Sequence, residues 1–229
     1  MTVVTPQLVA TPTEATAGTR LVRVATVSAV AAGAAIVVAG LLDPGYSARS
    51  EAISALASQE SHSAALMIGG FVLMATTLLA SGAFLFSRLR GKGARTASVL
   101  ILLSGLLTLV AGFNRQDCSN LQAACLAREE AETVSSQHVI HNLVSIPIFL
   151  FLIVATFFLA AGLRRWGRDA RLARATLLAG FAGLVLAVWF GSGAYGSNGG
   201  LVECALVLVT FGWPALVANR VLSRDAVAS

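Results

Sequence analysis

Residues 24–42 of the chain read VATVSAVAAGAAIVVAGLL, a run without a charged side chain. Arg23 precedes this run, and Asp43, Pro44 and Gly45 follow it. A helix that crosses the hydrocarbon core of a bilayer needs about 20 mostly apolar residues. Proline and glycine are typical of the turns that end such helices. The stretch therefore predicts a transmembrane helix that ends at Asp43.

Five more apolar runs follow the first, at residues 63–87, 96–113, 137–163, 174–190 and 201–219. Hydrophobic residues make up 56% of the chain and charged residues only 12%, whereas soluble domains carry about 25% charged residues. The mean hydropathy is +0.79. We therefore expect an all-α, polytopic integral membrane bundle of six transmembrane helices, with residues 21–221 as its membrane domain and the lipid bilayer as its solvent.

The basic residues alternate between the two ends of these runs. Thirteen of the 16 fall on one side, namely Arg20, Arg23, Arg88, Arg90, Lys92, Arg95, Arg164, Arg165, Arg168, Arg171, Arg174, Arg220 and Arg224. Because positive residues stay on the cytoplasmic side, both N and C termini are predicted to be cytoplasmic, in the plasma membrane of a bacterium. Residues 1–20 are predicted to form a disordered cytoplasmic tail and residues 222–229 a second, short one.

The net charge of +5 is explained by this topology. The basic residues lie between apolar runs, not on a soluble face, so we expect no nucleic-acid partner.

The segment after the first helix carries an informative polar pattern. Ser47, Glu51, Ser54 and Ser58 recur at steps of four, three and four residues, which indicates an amphipathic helix with one polar face. Two arrangements fit this pattern. The helix lies at the membrane interface with its polar face in water, or it folds over the mouth of the bundle and directs Arg49 and Glu51 inward.

A second polar pattern opens the fourth helix. His138 and His141 are three residues apart and share one helix face, and Pro147 leaves a backbone carbonyl nearby without its usual donor. Polar groups inside a membrane span usually face the protein interior and often mark function. On the predicted topology these histidines, like His62, lie on the outer side. The candidate site there comprises Asp43, Arg49, Glu51, Ser54, Asp117, His138 and His141.

Several chemistries can use such a cluster. His138, His141 and Asp117 are candidate ligands for a metal ion that activates water, although the two histidines lack zinc-protease spacing. Histidine and aspartate can also relay protons in a transporter, and His62 with His141 can in principle ligate haem. Arg49 suits an anionic ligand or lipid headgroup. A hydrogen-bonded cap without a ligand fits the same residues.

Cys118 and Cys125 lie in the predicted outer segment between the third and fourth helices. Six residues separate them and that compartment is oxidising, which favours a disulfide. Cys204 remains as the odd thiol, beside Glu203. A carboxylate at the outer end of a span is costly unless paired or hydrated, so Glu203 either joins the outer site or reaches the headgroups.

The order of these motifs resembles the bacterial membrane proteins grouped as domain of unknown function 998. In that family a Tyr-Ser motif followed closely by Arg or Asp precedes an Ile-Ser-x-Leu motif, and these correspond here to Tyr46-Ser47-Ala48-Arg49 and Ile53-Ser54-Ala55-Leu56. The third helix tends to end in an aromatic residue with an aspartate nearby, here Phe113 and Asp117.

In the same family the fourth helix tends to open with histidine, and His141 matches best. Asn142 stands where family members often have glycine. The resemblance covers residues 22–220. It implies a six-span fold with a shared outer polar cluster, and it supplies no activity.

The sequence therefore predicts a multi-pass membrane protein whose outer polar cluster binds a lipid headgroup or a small polar ligand. An intramembrane metal-dependent hydrolase that uses His138, His141 and Asp117 is one alternative. A proton-coupled small-solute transporter is another, although the inner halves of the spans offer few ionisable groups for a transport path. The residues specify no enzymatic activity, cofactor or oligomeric state.

Overall fold

The computed structural model describes residues 12–167 and 169–228, and within these ranges the chain is helical without a β-strand. Seven α-helices follow one another: α1 Pro12–Leu42, α2 Ala64–Arg88, α3 Lys92–Phe113, α4 Ala123–Glu130, α5 Ser136–Trp166, α6 Ala170–Gly191 and α7 Gly199–Ala228. Two short 3₁₀ helices, Ile53–Ala57 and Gly196–Asn198, lie in the connections.

Six of these helices are long and apolar enough to cross a membrane, and α4 is not among them. Their candidate spans are Thr16–Leu42, Ala64–Arg88, Lys92–Phe113, Ser136–Trp166, Ala170–Gly191 and Gly196–Arg224. The predicted all-α bundle of six membrane-spanning helices is thus confirmed.

The six spans close into a ring in chain order. Each packs on the next, from α1 through α2, α3, α5 and α6 to α7, and α7 returns to α1, while α2 also contacts α7 across the bundle. Small residues bring neighbouring helices close together. A Cβ atom added at Gly162 of α5 would lie only 2.9 Å from the Cβ of Ala94 on α3.

Three connections meet at one end of the bundle, which we call the cap end: residues 43–63, 114–135 and 192–198. The backbone N–H of Gln59 donates to the Gln116 carbonyl at 2.8 Å, and the Arg49 Nε donates to Asn198 Oδ1 at 2.9 Å. At the opposite, terminal end, Arg224 of α7 pairs with Asp169 at 3.2 Å. Both ends of the described chain therefore lie at the terminal end.

The predicted tails need correction where the structure describes them. Residues 1–11 and Ser229 lie outside the described residues, but helix α1 already begins at Pro12 and α7 continues to Ala228. Proline is favoured at the first position of a helix because its missing N–H has no helical partner there.

The predicted amphipathic helix over residues 47–58 is wrong. The chain makes turns up to Ser50 and then the 3₁₀ helix Ile53–Ala57, whose Ile53, Ala55, Leu56 and Ala57 are buried. Ser58, assigned to the polar face, is only 3% exposed. The small side chains let this segment pack down onto the bundle, where its backbone hydrogen-bonds to other elements instead of to itself.

Candidate ligand-binding cavity and its polar cap

The segment 47–58 is held across the cap end by one side chain of the 114–135 connection and one of α7. Arg115 donates from Nε to the Ala57 carbonyl at 3.0 Å and from Nη2 to the Ser58 carbonyl at 2.6 Å. Glu203 of α7 accepts the Ile53 backbone N–H at 2.6 Å. Since a helix start leaves backbone N–H groups without internal partners, the Glu203 carboxyl satisfies this end of the 3₁₀ helix.

Beneath this segment the bundle encloses a cavity of about 530 Å³, within the usual size range of small-molecule sites. Apolar side chains of α2, α3, α5, α6 and α7 form most of its wall. Three of them, Ile146, Leu150 and Leu184, are also exposed on the outer surface of α5 and α6. The cavity therefore opens sideways between these two spans, towards the space that a bilayer fills.

Polar groups line the cavity mainly where it meets the cap end. They are Ser54, Thr108, Gln116, Asn120, His141, Asn142, Ser145 and Glu203. Among the described residues, no lysine or arginine lines the cavity. The result is an amphipathic space with apolar walls and one polar end.

His141 lies within the polar end and is 3% exposed. Its Nδ1 is 2.8 Å from the Ala111 carbonyl and 3.0 Å from the Asn114 carbonyl, at the end of α3. Two carbonyl oxygens can only accept, so Nδ1 carries the ring proton. The edge of the Phe71 ring packs against the imidazole at a centroid distance of 5.7 Å. The Nε2 atom is left as an acceptor on a residue that lines the cavity.

His138 has a different environment, although it shares a helix face with His141. Its Nδ1 accepts the Asp117 backbone N–H at 3.1 Å, so Nε2 must carry the proton and donates to Glu129 Oε1 at 2.6 Å.

Asn142 Nδ2 donates to the same Glu129 oxygen at 3.1 Å, and Gln116 Nε2 donates to Asn142 Oδ1 at 2.7 Å. A relay of hydrogen bonds thus runs from Glu129 through Asn142 to Gln116.

Asp117 is buried beside His138, and its carboxylate accepts several hydrogen bonds. It accepts hydrogen bonds from the Ser135 backbone N–H and hydroxyl, both at 2.6 Å, and from Gln59 Nε2 at 2.9 Å. Arg128 lies 3.6 Å away. Burial alone would raise the pKa of Asp117, but the hydrogen bonds from Ser135 and the charge of Arg128 outweigh it and hold the pKa below its ordinary value. Ser135 also caps α5 by accepting the His138 N–H.

The model of the protein family of unknown function DUF998 matches residues 14–220. The chain belongs to this family. No curated protein and no solved structure matches it. The predicted family is therefore confirmed.

The DUF998 chain does not gather all the predicted site residues. Ser54 and His141 line the cavity. Asp43 accepts the Ser61 hydroxyl at 2.6 Å on the cap, and Arg49 is exposed, with its Nε bonded to Asn198. Glu51 is half-buried on the cap, where burial raises the pKa of its carboxyl.

The candidate metal ligands His138, His141 and Asp117 likewise do not converge. Both His138 nitrogens are engaged in hydrogen bonds, His141 Nδ1 is turned towards the carbonyls at the end of α3, and the Asp117 oxygens accept from Ser135. Among the described residues, the ligand atoms of Cys118, Cys125 and His138 lie within 4.8 Å of one another. The two cysteines are joined in a disulfide, so as arranged they offer no thiolate to a metal.

Sequence reasoning missed Gln116, Asn120, Glu129 and Ser135. Asn142 carried a usable signal, because it follows His138 by four residues and must share its helix face. Gln116 carried none, since its position under the cap depends on how α3 and α5 end side by side. Glu203 was left open between the outer site and the headgroups, and the cavity includes it.

Proposed function

We propose that this protein binds a membrane amphiphile, with the acyl chain in the cavity and the headgroup at its polar end. One observation supports this above others: a space of about 530 Å³ has apolar walls, a polar end beneath the cap, and a side opening between α5 and α6. An amphiphile has the same distribution of polarity. It can enter from the bilayer without crossing the cap.

We further propose that the cap end faces outward from the plasma membrane. Only three of the 16 basic residues, Arg49, Arg115 and Arg128, belong to the cap end. Because positive residues favour the cytoplasmic side, this charge distribution supports an outward-facing cap. On this orientation the ligand comes from the outer leaflet. The disulfide at the cap also suits an oxidising compartment.

The hydrolase and transporter alternatives have less support. A hydrolase that uses His138, His141 and Asp117 needs their side chains to converge on one metal ion. Both His138 nitrogens and the Asp117 oxygens are instead engaged in hydrogen bonds within the protein. A transporter needs a polar path to the other side. The polar lining of the cavity collects at the cap end.

The proposal is tested by filling the cavity from α6. Ala187 lines it, whereas Val188, the next residue, is 64% exposed on the bundle surface and is not part of the lining. We expect Ala187→Phe to reduce the synthetic phospholipid retained by the purified protein in native mass spectrometry. Val188→Phe is the matched control and should retain as much as the wild type. Equal retention by both variants would refute the proposed function.

A further inference from the structure

The polar end of the cavity presents acceptors rather than donors. In the relay from Glu129, the acceptor-only carboxylate fixes the orientation of the Asn142 amide, and Asn142 in turn fixes that of Gln116. The amide nitrogen of Gln116 donates its hydrogen bond to Asn142, and Gln116 Oε1 is buried without a hydrogen bond. A buried polar atom without a partner is costly, and Gln116 is 1% exposed.

The neighbouring polar groups of the lining also present hydrogen-bond acceptors. His141 offers the Nε2 lone pair, because its proton is on Nδ1. Asn120 brings an amide whose Oδ1 is also buried without a hydrogen bond. The hydroxyls of Thr108 and Ser145 donate to the carbonyls of Ser104 and His141 on their own helices, at 2.7 and 2.8 Å, so they too present oxygen lone pairs.

The charge of the lining also favours a cationic ligand. Glu203 is the acidic side chain of the lining, 7% exposed, and the described lining contains no lysine or arginine to pair with it. Its carboxyl accepts the Ile53 N–H through Oε2 and is also hydrogen-bonded to the Ser54 backbone. A carboxylate has about four lone-pair sites, so Glu203 can accept further N–H donors. An anionic headgroup would meet acceptors and a carboxyl group here. A cation with N–H donors would hydrogen-bond to the unpartnered oxygens of Gln116 and Asn120 and would balance the charge of Glu203.

We infer that the ligand of this cavity is an amphiphile whose headgroup is a protonated primary amine, held by Gln116, Asn120, His141 and Glu203. This inference rests on the proposed function, since it names the headgroup of the amphiphile proposed there. An ammonium group has three N–H donors and no acceptor, which matches the free groups of the lining. The exposed Arg49, expected from the sequence to hold an anionic headgroup, lies outside the lining.

The test compares headgroups on identical acyl chains. Native mass spectrometry of the full chain in mild detergent gives apparent Kd values for phosphatidylethanolamine, phosphatidylcholine and phosphatidylglycerol. We expect phosphatidylethanolamine to bind about tenfold more tightly than the other two, a difference that one charge-assisted hydrogen bond can supply. Hexadecylamine against hexadecanol separates a free alkylamine from a phospholipid as the source of the amine.

A pair of variants tests whether Glu203 recognises the positive charge of the headgroup. Glu203→Gln keeps an oxygen for the Ile53 N–H but removes the charge, and we expect it to lose most of the preference for the amine. Glu130→Gln removes an exposed carboxylate of the cap and should bind like the wild type. Because the wild-type headgroup series needs no variant, a poorly folded Glu203→Gln protein would not prevent the test.

The outcomes separate this inference from the proposed function. Tighter binding of phosphatidylethanolamine or of hexadecylamine, lost in Ala187→Phe, supports both. Binding that Ala187→Phe removes but that is equal for phosphatidylglycerol, or equal for phosphatidylcholine with its methylated amine, overturns the amine inference alone. Binding that Ala187→Phe leaves unchanged overturns the proposed function itself.

Discussion

Single residues at the cap end owe their roles to their partners more than to their type. His138 and His141 are one helical turn apart, yet His138 donates a hydrogen bond to Glu129 and His141 presents a lone pair to the cavity. Asp117 is the acceptor for two donors of Ser135. From the sequence, all three were equivalent members of one polar cluster.

We expect Asp117→Asn to destabilise the protein by about 1–3 kcal/mol, because the amide nitrogen would face donors that now bond a carboxylate. The pKa of Asp117 is below its ordinary value of 3.8. Its contribution is therefore complete above about pH 4 and is lost as the pH falls through the lower pKa of the folded state. Thermal unfolding in detergent at pH 7, 5 and 3 measures both effects.

The stability difference between wild type and Asp117→Asn should shrink at the lowest pH, where the carboxylate becomes protonated. Glu130→Gln is the control, since its carboxylate is exposed and we expect no change at any pH. A difference that stays constant down to pH 3 would show that the ionised carboxyl is not what stabilises the cap.

At the scale of elements, the cap segment depends on a close approach to the start of α7. A Cβ at Gly200 would lie 2.6 Å from the Ala48 carbonyl oxygen and in still closer contact with the carbonyl of Glu51. The Gly200 N–H donates to the Arg49 carbonyl at 3.1 Å. These are backbone atoms, so the contact cannot be relieved by moving a side chain.

We predict that Gly200→Ala lowers the melting temperature in detergent, at a cost of about 1–3 kcal/mol for overpacking. Gly212→Ala, in the same helix, is the matched control because nothing lies within 4 Å of its added Cβ. Replacing glycine by alanine there should be neutral or stabilising by about 0.5–1 kcal/mol. If both variants melt alike, the cap segment does not depend on this contact.

For the whole molecule, the closed ring of spans brings chain segments together that are far apart in sequence. The cavity wall takes residues from five spans and from the cap. The two ends of the bundle differ strongly in charge, which is the basis of the orientation that we propose.

Labelling with a membrane-impermeant maleimide in intact cells tests that orientation, in a Cys204→Ala background that removes the free thiol. Ser50 of the cap and Ser223 of α7 are both exposed. We expect Ser50→Cys to react in intact cells and Ser223→Cys to react only after permeabilisation. The reverse pattern would place the cap in the cytoplasm and contradict the positive-inside assignment.

The sequence alone determined the six spans and the family, because hydrophobic length and motif order are local properties of the chain. It did not determine the path of residues 47–58, whose period of polar residues indicated a helix. Arg115 and Glu203 hydrogen-bond to the backbone of that segment and replace the helical bonds.

Which polar groups form a site depends on how distant parts of the chain pack together. The cavity and its acceptor-rich end arise where α3, α5 and α7 end beneath the cap, and the free atom of Gln116 depends on a relay that begins at Glu129. Hydrophobic periodicity reports which faces are apolar. It carries no information on which oxygen of a buried side chain is left without a donor, because that depends on partners distant in the chain.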